Sequence, residues 1–278
     1  DGRTVSRPGN AGPAVDPATT SVAVEFNDLT ALEAALATHE VAAVLAEPAL
    51  TNIGIVLPEA GYWEGVRAAC DATGTLLVID ETHTISAGPG GATRRWGLRP
   101  DALTIGKSLG GGVPCGAYGL TEPLAERVVA SAVADGSDLV DVGGVGGTLA
   151  GNALSLAAMR AVLGEVLTDD AFGPMEALAD RFAEGVQGVV DAAGLDWSVT
   201  RLGARCEYRF ARPAPRTGAE SAAAGDAQLE DYLHLAGVNR GVLITPFHNM
   251  ALMCPATTAD HVDAHTQAFA AAVGALLA

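Results

Sequence analysis

Pro100-Asp-Ala-Leu-Thr-Ile-Gly-Lys107-Ser-Leu-Gly-Gly-Gly-Val-Pro114-Cys-Gly-Ala-Tyr-Gly119 decides how the rest of the chain is read. Ala102-Leu-Thr-Ile105 is a short apolar run suited to a buried strand, the glycines after Lys107 demand a turn, and Cys115-Gly-Ala-Tyr-Gly119 is strand-like again. Lys107 is the only lysine in 278 residues, against fifteen arginines. An amine can lose its proton when desolvated and attack a carbonyl, which a guanidinium cannot do. By count alone, one lysine spared in an arginine-rich composition explains the fact equally well, so the neighbouring segments must choose.

Working outward, the same alternation repeats. Residues 31–38 follow the cap-like Asn27-Asp-Leu-Thr30 and predict a helix, and Val41-Ala-Ala-Val-Leu-Ala46 predicts a strand. A helix is predicted over 60–73, and Thr75-Leu-Leu-Val-Ile-Asp80 is a further apolar run that ends on a carboxylate. Apolar strands alternating with helices predict an α/β fold, a mostly parallel sheet with helices on both faces. Asp80 and Lys107 both follow predicted parallel strands, so both belong at the rim where ligands collect in such sheets. A long helix is predicted over 149–167 and another over 175–192. Beyond them the pattern turns α+β, with strand-like segments at 195–210, 242–245 and 250–254, a helix at 226–235 and a last helix from 259. These changes divide the chain into 1–167, the C-terminal part of a large domain, and 168–278, a small C-terminal domain.

Composition narrows the function classes. With 49% hydrophobic residues the chain can bury a substantial core, and a formal charge of -17 opposes nucleic acid and anionic lipid as partners. No run approaches the ~18 apolar residues of a membrane span, and the start, Asp1-Gly-Arg-Thr, is neither signal-like nor an initiating methionine. A cytoplasmic protein whose first residue is not its natural start is the expectation, with residues 1–20 an extended lead-in. Cys70, Cys115, Cys206 and Cys254 lack paired spacing and are expected to be buried free thiols. The six histidines lack metal-binding spacing, and no metal is expected.

Four passages together resemble the class III aminotransferases, pyridoxal-phosphate enzymes of the aspartate-aminotransferase fold (fold type I), and most closely their glutamate-1-semialdehyde aminomutase branch. They are Ala46-Glu47-Pro48 with Asn52 and Gly54, Val78-Ile-Asp80-Glu81-Thr-His83-Thr, the stretch quoted first, and Gly146-Gly147-Thr148-Leu-Ala-Gly151-Asn152. The resemblance implies pyridoxal 5'-phosphate as cofactor and Lys107 as its Schiff-base lysine, moving a proton between substrate and cofactor. It implies that Asp80 faces the pyridinium nitrogen and keeps it protonated; without it, Asp80 reads as a helix cap. His83 stands where relatives often carry a glutamine near the ring's phenolic oxygen, and a packed core histidine is its other reading. Glu47 resembles an active-site acid, with an ordinary ion-paired carboxylate almost as good a reading. Gly147 and Thr148 resemble the turn that reaches the phosphate of the neighbouring subunit's cofactor, with Thr148 at the start of the long helix, where N–H groups suit a dianion. That contact implies a homodimer with cofactor sites at its interface.

In the family a segment upstream of residue 1 supplies a phosphate loop and a stacking aromatic residue, so a companion N-terminal segment or chain is expected as a partner. Nothing in the sequence separates Arg205, Arg209 and Arg240 as binders of a substrate carboxylate, and Phe247 and His248 line a pocket or are structural with equal weight. The activity implied is ping-pong aminotransfer between a small amino donor and a carbonyl acceptor. Intramolecular transfer by an aminomutase, or racemisation, would use the same lysine, and a non-catalytic remnant subunit is the alternative of another class.

Overall fold

The computed structural model describes residues 5, 16–135, 146–245 and 248–278. The first helix, α1 (Leu29–Leu36), starts where the Asp28 carboxylate accepts the Ala31 N–H at 2.8 Å, satisfying one of the end groups a helix cannot pair internally. There follow β1 (Ala43–Ala46), α2 (Tyr62–Thr73), β2 (Leu76–Asp80), α3 (Gly91–Trp96), β3 (Ala102–Ile105), β4 (Ala117–Leu120) and α4 (Glu122–Asp135). Their sheet runs β1-β2-β3-β4, the first two pairings parallel and the last antiparallel. Leu77 and Ile79 of β2 bury one face against Leu32 and Leu36 of α1 and Val66 and Cys70 of α2. Side chains alternate along a strand, so Asp80 leaves the core where Ile79 enters it. The register sets Asp80 beside Thr104, three residues before Lys107, which brings the carboxyl ends of β2 and β3 to one rim.

The chain continues with α5 (Ala153–Ala161), a π-helical turn at Val162–Val166, α6 (Asp169–Ala192), β5 (Ser198–Leu202), β6 (Arg205–Arg209), α7 (Gly218–Ala223), α8 (Ala227–Val238), β7 (Met250–Leu252) and α9 (Ala259–Leu276). The antiparallel sheet β5-β6-β7 packs under α6 and α9 around Phe182, Val186, Tyr208 and Phe269. Burial of such side chains contributes roughly 1.5–3 kcal/mol each. All five residues of β6 are buried. Cys206 and Tyr208 enter this core, whereas Arg205, Glu207 and Arg209 alternate toward the opposite side.

Several expectations are corrected. The run at 242–245 forms no strand. The long helix begins at Ala153 rather than near 149, because Asn152 takes the capping place and accepts the Ser155 N–H at 2.9 Å. Thr148 therefore lies in a turn ahead of the helix and not at its start. The next helix begins at Asp169, where two aspartates favour a helix N-terminus. Cys70 and Cys206 are buried and free, but Cys254 is exposed and Cys115 only partly covered. Among the described residues no helix is long and apolar enough to cross a membrane.

Candidate active site

Consecutive carboxylates at the end of β2 part company. Glu81, 1% exposed, turns inward and accepts the Thr84 hydroxyl at 2.5 Å and the N–H groups of Ala92 and Thr93, so it ties the 84–87 turn to the start of α3. Gly91 has φ +71, and a Cβ there would lie 2.6 Å from that carboxylate, so only glycine fits. Asp80 turns to the rim and accepts the Thr82 N–H at 2.8 Å. Burial opposes its charge, but hydrogen bonds from Thr82 and from the Thr104 hydroxyl outweigh this and hold the carboxyl below its usual range. Asp80 is thus anionic at neutral pH.

Beyond β3, Gly106 is extended and Lys107 takes φ +51, a left-handed backbone that ordinary residues avoid. Such strain is retained where surrounding structure holds it, often at functional positions. The Lys107-Ser-Leu-Gly110 turn that follows rests against α5: Ser155 donates to the Pro114 carbonyl at 3.1 Å, and a Cβ on Gly111 would meet Val162 at 2.8 Å.

Glu47 leaves the end of β1 on a loop pinned twice, by the Trp63 indole N–H on the Pro48 carbonyl at 2.9 Å and by the Leu50–Val56 bridge. The pinned loop carries Thr51, fully buried, whose Oγ1 stands 2.5 Å from Glu47 Oε2 and 2.6 Å from His83 Nδ1. Burial raises the pKa of Glu47 against the Thr51 hydrogen bond, and the nearby Asp80 charge adds to the rise. Burial likewise lowers that of His83 to about 4, with the charges of Arg205 and Lys107 next in weight. Asp80, Lys107 and Arg205 each act on both Glu47 and His83, so the groups of β2, β3 and β6 share one neighbourhood.

A cavity of about 420 Å³ opens there, in the range of small-molecule sites. Lys107, Ser108, His83 and Asn52 lie on its wall, with Arg205 from β6, His248 just ahead of β7, and Phe172, Met175 and Met253 as its apolar side. His83 is thus a half-buried wall residue and not a packed core histidine. His248 lines the same cavity, whereas Phe247 lies outside the described residues. Asp80 stands beside the cavity without forming its wall. Gly147 and Thr148 are exposed in the 146–151 turn and do not line it.

Sequence pattern does not single out Arg205 among the arginines, and the structure does. Arg209 donates to the Ser221 carbonyl and pairs with Glu230 at 3.4 Å, and Arg240 donates to the Ala236 carbonyl at 2.9 Å. Arg205 is 4% exposed on the cavity wall, and among the described residues its guanidinium makes neither a hydrogen bond nor an ion pair. Glu207, 1% exposed, faces it at longer range and stands 3.4 Å from His248 Nδ1. Thr51 likewise carries no mark in the sequence: nothing singles out a threonine four residues after a glutamate. Among the described residues no group of three or more histidine, cysteine or acidic side chains is placed to hold a metal.

Residues 11–273 match the family model described as aminotransferase class-III. A glutamate-1-semialdehyde 2,1-aminomutase of Desulforudis audaxviator (strain MP104C) is 33% identical over 264 residues, covering 94% of this chain and 59% of the relative. The crystal structure of a glutamate-1-semialdehyde-aminomutase from Pseudomonas aeruginosa PAO1, a lysine-to-alanine variant in complex with PMP, is 48% identical with a TM-score of 0.93, covering 98% of this chain and 60% of that one. An omega-transaminase from Sphaerobacter thermophilus is 27% identical with a TM-score of 0.82 and similar coverage, 98% and 61%. The chain therefore spans about three fifths of the length of these relatives.

Proposed function

The chain belongs to the class III aminotransferase family, and from that premise we propose that it is the larger part of an enzyme that moves an amino group with pyridoxal 5'-phosphate. One observation carries the reading: a lone lysine in a left-handed backbone conformation on the wall of a 420 Å³ cavity, at the same sheet rim as a carboxylate held ionised. The donor set fits the group. Lys107 would hold it through the amine, Asp80 would face the ring nitrogen, and His83 would reach the phenolic oxygen. When bound, pyridoxal phosphate supplies a ring that withdraws electrons from the substrate's α-carbon.

Lys107 Nζ would remove and return the proton at that carbon, which requires the amine in its neutral form. The Asp80 carboxylate would keep the ring nitrogen's proton in place, because an anion within reach favours the charged form of its partner. Arg205 supplies what an anionic substrate needs: a desolvated guanidinium that, among the described residues, makes no hydrogen bond or ion pair attracts a carboxylate strongly and bidentately. Phe172, Met175 and Met253 give the same space an apolar wall. The substrate class is accordingly a small amino or oxo compound that bears a carboxylate.

The resemblance to named aminomutases favours intramolecular transfer, from one carbon of the substrate to its neighbour, over ping-pong exchange between two molecules. The omega-transaminase neighbour supports the second reading, transfer between two molecules. Incubating the holoenzyme with glutamate 1-semialdehyde separates them: isomer formed without an external amino donor supports the first, and keto product that depends on a donor supports the second.

Dimerisation is part of the proposal. No residue of α5 is buried, and Leu154 and Leu156 are 69% and 52% exposed on the helix that braces the Lys107 turn. Apolar side chains left open on such a helix suit coverage by a second copy, across which Gly147 and Thr148 would reach the neighbouring site. Division at residue 167 and a companion N-terminal segment belong to the same reading. Sedimentation of the full-length protein tests the dimer.

A further inference from the structure

A hydroxyl with one proton cannot donate to two acceptors, and Thr51 Oγ1 lies within hydrogen-bond distance of both Glu47 Oε2 and His83 Nδ1. One of its two contacts must therefore bring a proton to it. With Glu47 ionised, Thr51 donates to Glu47, His83 donates Nδ1–H to Thr51, and His83 Nε2 is a bare acceptor. With Glu47 protonated, the acid donates to Thr51, Thr51 donates to Nδ1, and Nε2 carries the hydrogen. The two states differ by one proton, and His83 is neutral in both.

We propose that Glu47, Thr51 and His83 form a proton wire, with His83 Nε2 as its open end in the cavity and the Glu47 carboxylate as its store. A proton arriving at Nε2 from a substrate or cofactor oxygen, or from water, makes a bond to that nitrogen. The Nδ1–H bond then breaks in favour of the Thr51 oxygen while the Thr51 O–H bond breaks in favour of Glu47. One proton enters at the cavity and one is gained at Glu47, and every heavy atom keeps its place. Reversal delivers the proton back.

Burial favours storage on the glutamate. Lys107 and Arg205 face both ends: they favour the ionised form of Glu47 and, with His248, oppose an imidazolium at residue 83, and at Glu47 burial outweighs them. The Asp80 charge assists protonation at both ends, so it does not oppose the store. Burial raises the affinity of Glu47 for a proton and lowers that of His83, which drives the transfer in the direction described. Thr51 is fully buried, and its loop is pinned at Pro48 and at the Leu50–Val56 bridge, so the two short contacts are held in place. Thr51 acts through its neighbours and is a positioning residue.

Nitrogen NMR of the 15N-histidine-labelled full-length holoprotein reads this without turnover, with His83 assigned by its loss in His83→Gln. On acidification His83 is expected to pass from the Nδ1–H to the Nε2–H tautomer while neutral, the ratio moving about tenfold per pH unit through the transition. Thr51→Val abolishes the switch and Thr51→Ser preserves it. Glu47→Gln, which cannot store a proton, fixes one tautomer and serves if the valine variant does not fold. Direct conversion of wild-type His83 to imidazolium, or an unchanged switch in either Thr51→Val or Glu47→Gln, overturns the wire. Because the readout is the tautomer and not the product formed, its failure leaves the proposed activity standing.

Discussion

Replacing His265 with leucine should flatten the acid side of the stability curve. His265 lies on α9, 8% exposed, tilted against the Phe182 ring at 4.5 Å and stacked on that of Phe269 at 6.0 Å, with Nδ1 buried and, among the described residues, without a hydrogen-bond partner. Burial alone lowers its pKa from 6.5 to about 4. Above the unfolded value the group is neutral in both states and costs nothing in charge. As pH falls below 6.5 the unfolded chain takes up a proton that the folded chain refuses, so stability is lost between about pH 6.5 and pH 4. At about 1.4 kcal/mol for each pH unit of that window, the loss sums to roughly 3 kcal/mol. Leucine fills similar space, removes the unpaired nitrogen and does not titrate. Urea unfolding of both proteins at pH 7, 6, 5 and 4, with the difference taken at each pH, isolates this group from other histidines. The difference should shift toward the variant by roughly 3 kcal/mol on acidification. A difference that stays constant within about 0.5 kcal/mol would refute the assignment of a buried, neutral His265.

Arg205→Leu should raise KM for a carboxylate substrate by about thirtyfold or more, the loss of roughly 2–5 kcal/mol when one partner of a buried charge pair is removed, with a much smaller change for an amine lacking the carboxylate; steady-state kinetics on the two substrates checks it. Asp80→Asn should bind pyridoxal phosphate yet lower kcat by roughly 10²-fold or more, since a fixed charge at the reacting ring is lost; cofactor absorbance and turnover separate the two effects. Gly203→Ala should lower Tm by roughly 4–12 °C, because an alanine is forced to positive φ and its Cβ overpacks the core for ~2–4 kcal/mol in all. At that position φ is +57 and a Cβ would stand 2.4 Å from the Ala87 backbone, so calorimetry that finds an unchanged Tm contradicts the close approach of the β5–β6 turn to the site loop.

The parts legible in the sequence are those set by local pattern. The apolar runs ending at Ala46, Asp80 and Ile105 form β1, β2 and β3 almost residue for residue, because strands of a parallel sheet read as continuous apolar stretches, and they do so here even though β1 leaves Leu45 exposed. Their order alone places Asp80 and Lys107 at one rim. The helices α3 and α4 leave no such mark: α3 is six residues held by the buried Glu81, a tertiary contact, and α4 has no strong apolar stripe. The run at 242–245 resembles a strand but finds no pairing edge, and Asn152 outcompetes the expected start of α5. Arg205 and Thr51 are invisible in the sequence for a common reason. Each is defined by groups far away in the chain, Arg205 by the cavity that β6 faces and Thr51 by the meeting of the 47–56 loop with His83, and no spacing encodes such meetings.

A working site of the proposed kind requires the amine of Lys107 to carry the cofactor. Borohydride reduction of the full-length protein loaded with pyridoxal phosphate, followed by peptide mass spectrometry, should find the pyridoxyl mass on the peptide containing Lys107 and on no other peptide of this chain. A reduced protein in which that peptide keeps its unmodified mass, while the cofactor is absent or attached elsewhere, would contradict the account.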